Sequence, residues 1–140
     1  MEIRIYRETD ESAVIALWRE VLPDSAPHND PASSIQRKSA FDRNLFFVAT
    51  VDYELAGAVM GGYDGHRGWV YSLAVKPERR GQGIGTALAR HLEQALAELD
   101  CRKVNLQVLL ANEGVIDFYR KLGFAVEERI SMGKRLYGDG

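Results

Sequence analysis

Lys76, Arg79 and Arg80 stand just before three glycines at alternate positions, Gly81, Gly83 and Gly85. Glycines clear side chains from places where backbone must approach a ligand closely, and a helix starting after them offers unpaired N–H groups. Oriented donors, the positive end of a helix dipole and three nearby cations together make a seat for phosphate. The chemistry expected here is binding of a phosphorylated cofactor. Spacing then excludes two common ones. A nucleoside-triphosphate loop continues from its last glycine into Lys-Ser/Thr, whereas Gly85 is followed by Thr86-Ala87. A dinucleotide fingerprint, G-x-G-x-x-G/A, would need glycine or alanine at Thr86 or Leu88, and Asp100 ends a helix rather than a strand.

Arg80-x-x-Gly83-x-Gly85 instead resembles the R/Q-x-x-G-x-G/A loop of the GNAT superfamily of acyl-CoA-dependent N-acyltransferases. The neighbours agree: Leu73-Ala74-Val75-x-Pro77 precedes the loop, and Asn112…Phe118-Tyr119-x-Lys121-Leu122-Gly123-Phe124 follows it. The resemblance covers essentially the whole chain. It implies acetyl-CoA as the acetyl donor, with the pyrophosphate held by Arg80, Gly81, Gln82, Gly83, Ile84, Gly85 and Thr86. By the same resemblance the pantetheine arm lies along the backbone of Leu73, Ala74 and Val75, with Asn112 also contacting the cofactor, between two parallel strands that splay apart. Tyr119 then donates a proton to the departing sulfur.

Acyl transfer from a thioester to an amine can proceed directly. The amine must be neutral, the carbonyl polarised and the leaving thiolate protonated. No covalent nucleophile is evident, since the chain lacks a G-x-S-x-G elbow and Cys101 has no context of reactivity. A phenol with a pKa of about 10 suits the acid role, although Tyr119 also shares a helical stripe with Val115 and Leu122 that would serve as plain core. Asn112 likewise reads as a helix cap. No general base is assigned. Tyr71 and Ser72 stand on the strand before the loop, Asp64 and His66 in the preceding turn, and Asp24, His28 and Asp30 in a proline-rich loop that, by the resemblance, borders the acceptor site. Those loop acids lean toward a cationic acceptor. The expected acceptor is a primary amine, on a small molecule or a protein.

The elements needed to position these groups follow from periodicity. Ile3 and Ile5 begin a strand, Thr9-Asp10 read as a cap, and Val14, Leu17, Trp18, Val21 and Leu22 recur at helical spacing up to Pro23. Residues 23–32 form a loop, and Ser33-x-x-Gln36 reads as a capping box opening a second helix. Residues 45–51 and 55–63 make a hairpin, and a third strand spans 69–75. Ile84, Ala87, Leu88, Leu92, Ala95, Leu96 and Leu99 stripe one helix. A strand over 104–109, a helix over 112–122 stopped by Gly123, and strands over 125–129 and 131–137 complete the order βααβββαβαββ. This is an α/β (α+β) chain with a mixed, mostly antiparallel sheet flanked by helices and containing one central parallel pair. The GNAT fold has this element order.

At 140 residues the expectation is one domain, residues 1–140. A net charge of −2 leaves no nucleic-acid footprint, because the clustered cations sit at the glycine loop and suit a small polyanion. No stretch approaches the roughly 18 apolar residues of a membrane span, and the N-terminus lacks a signal-peptide core, so a cytoplasmic location is expected. One cysteine allows no internal disulfide, and His28, His66 and His91 stand apart, so no metal site is expected. GNAT proteins are often dimers, which makes a homodimer an open expectation. Two rival functions remain, a CoA-binding sensor or interaction module without turnover and, weakened by the failed fingerprint, a nucleotide-dependent oxidoreductase.

Overall fold

The computed structural model describes residues 1–22, 30–41, 44–108 and 113–137. Two compact units are distinguished, residues 1–107 and 108–140. The first holds a five-stranded sheet in sequential order: β1 (Glu2–Ile5), β2 (Phe46–Val51), β3 (Glu54–Tyr63), β4 (Gly68–Val75) and β5 (Val104–Leu106). The first three pairings are antiparallel and β4–β5 is parallel. The helices of this unit are α1 (Glu11–Val21), α2 (Pro31–Phe41) and α3 (Ile84–Glu98). None of the described helices is long and apolar enough to cross a membrane.

The central strands are apolar on both faces because both faces are covered. Phe46 and Val48 of β2 pack with Tyr6, Val14, Leu17, Trp18 and Ile35, on the side of α1 and α2. Leu45, Phe47 and Ala49 pack with Ile84, Leu88, Leu92 and Leu96, the stripe of α3. Each such side chain, fully buried, contributes about 1.5–3 kcal/mol. The seat of α3 is made by missing side chains. A Cβ at Gly57 would lie 3.0 Å from Leu88 and 3.3 Å from Ile84, and one at Gly61 would lie 2.6 Å from Leu92. Glycine in β3 therefore sets how closely the helix bearing the glycine loop approaches the sheet.

Short-range chemistry explains the connections. Asp52 and Tyr53, at φ 52° and 67°, form the two-residue turn between β2 and β3 that matches strand twist. Leu22, before Pro23, is extended (φ −95°, ψ 122°) and ends α1, as proline's clash with a preceding helical residue requires. Asp10 does not cap α1 through its side chain. Its carboxylate accepts two bonds from the Arg4 guanidinium (2.8 and 2.9 Å) and one from the Arg7 N–H. Burial works to raise its pKa, but these bonds hold the carboxyl below the usual range. The second helix begins before the expected capping box. Asp30 accepts the Ser33 N–H and hydroxyl, both at 3.2 Å, so it caps α2 with Pro31 in the first turn.

In the second unit, α4 (Glu113–Lys121) ends in a motif that accounts for Lys121-Leu122-Gly123-Phe124. The Gly123 N–H bonds the Arg120 carbonyl and the Phe124 N–H bonds the Tyr119 carbonyl, with Gly123 left-handed at φ 97°. The Phe124 ring packs edge-on against Tyr119 at 5.4 Å. This is the Schellman arrangement, in which glycine takes the conformation a Cβ disfavours and the next apolar residue folds back onto the helix.

Three sequence expectations are corrected. Residues 125–129 and 131–137 are not strands, and Ile130, Met132 and Leu136 are at least 90% exposed. Alternation supplies a face but no backbone partner, and the charged run Glu127-Glu128-Arg129 gives that face little to bury. Of the strand expected over 104–109, the described residues pair over Val104–Leu106, and Leu109 lies outside the described residues. Without strands beyond it, the β4–β5 parallel pair forms the edge of the described sheet rather than its centre.

Candidate functional site

The glycine loop follows β4 directly. A short 3-10 turn, Pro77–Arg79, leads to Arg80, whose N–H bonds the Pro77 carbonyl at 3.3 Å. Gly81 (φ 79°) and Gly83 (φ 81°) are left-handed and exposed, and a Cβ at either would meet nothing within 4 Å. Gly83 is the N-cap of α3, and Ala87 is the first residue to bond back to it, at 3.0 Å. The N–H groups of Ile84, Gly85 and Thr86 therefore have no acceptor within the helix, and no side chain caps them. Among the described residues, Lys76, Arg79 and Arg80 form no ion pair. Open space, uncapped donors, the positive helix end and uncompensated cations fit a pyrophosphate group. Gln82 is exposed in this loop, whereas the Ile84 side chain is buried in the core, leaving only its main chain for a ligand. Gly85 has no positive φ; it lies in the first turn of α3.

β4 carries a bulge that periodicity did not reveal. Met60 pairs with Ser72 and Gly61 with Val70, so Tyr71 is an extra residue on β4. The Lys76 N–H bonds the Ala56 carbonyl at 2.8 Å. By the two-residue repeat, Ala74 also turns its polar backbone groups toward β3, while Leu73 and Val75 turn theirs away. On that side β5 pairs only with Gly68, Trp69 and Val70. The backbones of Leu73 and Val75 thus face a stretch without a strand partner among the described residues, whereas that of Ala74 is used within the sheet. The Gly61-Gly62 pair opposite was the one available sequence signal for the bulge.

The bulge also decides where Tyr71 points. Gly61 faces Leu92 of α3, so Gly62 faces the opposite side, and a Cβ there would lie 2.7 Å from the Tyr71 ring. Tyr71 therefore lies on the α1/α2 side, with Lys38 Nζ of α2 6.0 Å from its ring centre. Burial first, and the Asp64 carboxylate second, raise its phenol pKa.

Tyr119 of α4 is 8% exposed and meets Phe118 edge-on at 5.1 Å as well as Phe124. Burial pushes its phenol up to about 12, so it holds its proton throughout the neutral range. Asn112, Asp24 and His28 lie outside the described residues. The remaining acids named as possible bases are already occupied. Asp64 Oδ1 accepts the Arg67 N–H at 2.7 Å and the His66 N–H at 2.8 Å, which hold its carboxyl below the usual range. Asp30 is lowered by the Ser33 backbone bond and lies 3.7 Å from Arg19. Cys101 packs with Gly68 and Leu96, and His91 packs edge-on against Phe47 at 4.6 Å.

A family model described as Acetyltransferase (GNAT) family matches residues 13–124. An acetyltransferase of Pectobacterium atrosepticum is 48% identical over 139 residues, covering 99% of this chain and 98% of that protein. Among solved structures, Ard1 from Thermoplasma volcanium superposes with a TM-score of 0.81 at 24% identity, over 90% of this chain and 83% of its own. The NatC complex bound to Gag peptide and CoA gives 0.79 at 19% identity, over 93% and 89%. These two likenesses show the fold.

Proposed function

The chain belongs to the acetyltransferase (GNAT) family, and from that premise we propose that it moves an acetyl group directly from acetyl-CoA to a primary amine, with residues 1–140 acting as one cytoplasmic catalytic domain. One observation carries the reading. β4 loses its β5 partner after Val70, and its far end leads through Arg80 to the uncapped start of α3. An extended arm and a diphosphate need these two features in sequence along one ligand. Retention of CoA by the NatC relative is consistent with that fit.

When bound, acetyl-CoA supplies the activated thioester. Arg80 and the N–H groups of Gly81, Gln82, Gly83, Ile84, Gly85 and Thr86 hold its diphosphate by charge-assisted hydrogen bonds. The N–H groups of Leu73 and Val75 hold the arm and polarise the carbonyl, as a preorganised donor does for developing negative charge. Ala74 supplies packing alone, and Asn112 adds a side-chain contact to the arm. Tyr119 donates its hydroxyl hydrogen bond to the departing sulfur. Because its pKa is raised to about 12, this donation stabilises the thiolate more than it completes proton transfer. The incoming amine loses its proton to water, since Asp64 and Asp30 are weakened as bases by the bonds they accept.

The test is CoA thiol release measured over a panel of amines, together with calorimetric titration of acetyl-CoA. Binding with amine-dependent release supports transfer. Binding with no release from any amine would favour the sensor reading.

A further inference from the structure

Lys38 is placed where its own chemistry matters. The phosphate seat is at the start of α3, whose apolar stripe covers one face of the sheet. Leu73 and Val75 border the stretch of β4 that β5 leaves unpaired. The bulge residue Tyr71 adjoins that stretch of β4 and turns to the α1/α2 side of the sheet. The Tyr71 ring stands there, and Lys38 Nζ lies 6.0 Å from the ring centre. Of the other four lysines, Lys76 stands at the proposed phosphate seat, Lys103 just before β5, and Lys121 and Lys134 belong to the second unit.

We propose that Lys38 is a self-acetylation site, its Nζ taking an acetyl group from acetyl-CoA bound to the same molecule at the bulge marked by Tyr71. The inference rests on the acetyl-CoA reading above. In the step, the neutral Nζ attacks the thioester carbonyl, the new C–N bond forms and the C–S bond breaks. Sulfur leaves with the bonding electron pair and gains one proton, and nitrogen gives one proton to water. Nothing is oxidised or reduced. The product amide is uncharged, so the cation facing the Tyr71 ring disappears.

The experiment incubates the full chain with acetyl-CoA and maps acetylation on all five lysines by peptide mass spectrometry. A tethered amine reacts at an effective concentration that free collision does not reach, so Lys38 should label at least about tenfold faster than the other lysines. Its rate constant should not change when the protein is diluted about a hundredfold at saturating acetyl-CoA. Excess CoA, competing for the seat, should slow Lys38 labelling and leave the slow chemical labelling of the others unchanged. Tyr71→Ala should reduce Lys38 labelling severalfold while leaving stabilisation by acetyl-CoA intact. Uniform labelling, labelling that slows on dilution, or no label on Lys38 would overturn the proposal. A parallel melting curve separates the two readings: stabilisation by acetyl-CoA without Lys38 labelling defeats only the self-acetylation inference, whereas neither effect defeats both.

Discussion

Tyr119 shows how one side chain's surroundings change its chemistry. A free phenol would lose its proton at a pH of about 10 and put an alkaline limb there in the rate profile. Burial moves that limb up to about 12, beyond the usual working range. Tyr119→Phe keeps the ring packed on Phe118 and Phe124 and should lower kcat by about 10²–10⁴-fold with acetyl-CoA affinity nearly unchanged, as steady-state kinetics and calorimetry would report. The same shift has a stability consequence. The folded-state pKa lies above the unfolded value, so the contribution is complete below pH 10 and is lost as pH rises to 12, on the order of 2–3 kcal/mol. Denaturant titrations should show that alkaline loss in the wild type and less of it in Tyr119→Phe. The loop glycines separate in a similar way. Gly83 is left-handed, so Gly83→Ala should cost about 1–2 kcal/mol as well as affinity. Gly85 is helical, so Gly85→Ala should stabilise by about 0.5–1 kcal/mol and still weaken binding by crowding the phosphate. Equal losses of stability in the two variants would contradict this assignment.

At the scale of elements, the placement of α3 links packing to binding. Its N-terminus is the proposed phosphate seat, and its position over β3 depends on the missing side chains at Gly57 and Gly61. Gly61→Ala puts a Cβ 2.6 Å from Leu92, closer than carbon atoms approach, so Leu92 or the helix must shift. Overpacking of this kind costs about 1–3 kcal/mol, and the moved helix should also bind acetyl-CoA more weakly although Gly61 touches no ligand. A Gly61→Ala variant with wild-type melting temperature and affinity would show that α3 has slack against the sheet. The elements also show where periodicity succeeds. Val14, Leu17 and Trp18 are buried as their spacing requires, as are Ile84, Leu88, Leu92 and Leu96. It fails at residues 125–137, because a helix satisfies its backbone within itself and a strand does not.

For the whole molecule, cofactor binding should appear as stability. A ligand that binds only the folded state raises the unfolding free energy by RT ln(1 + [L]/Kd), about 2.7 kcal/mol at a hundredfold excess over Kd. Acetyl-CoA should therefore raise the melting temperature, and NAD or ATP at the same concentration should not. A larger shift with NAD would return the oxidoreductase reading. Since the net charge is −2, the cations Lys76, Arg79 and Arg80 act locally, and added salt should weaken acetyl-CoA binding less in Arg80→Ala than in the wild type. What the sequence by itself determined lies within short spans: the glycine loop that opens α3, the glycine stop after Tyr119, and the apolar stripes. In each, the interacting atoms are within about six residues, so spacing is already geometry. Only the tertiary structure decided which backbones of β4 lack a strand partner among the described residues, that Tyr71 is a bulge residue beside Lys38, and that Asp64 and Asp30 are held by N–H groups that weaken them as bases. The first two depend on strand register and helix placement between residues tens of positions apart. The third depends on how each turn closes, and neither is written in the order of residue types.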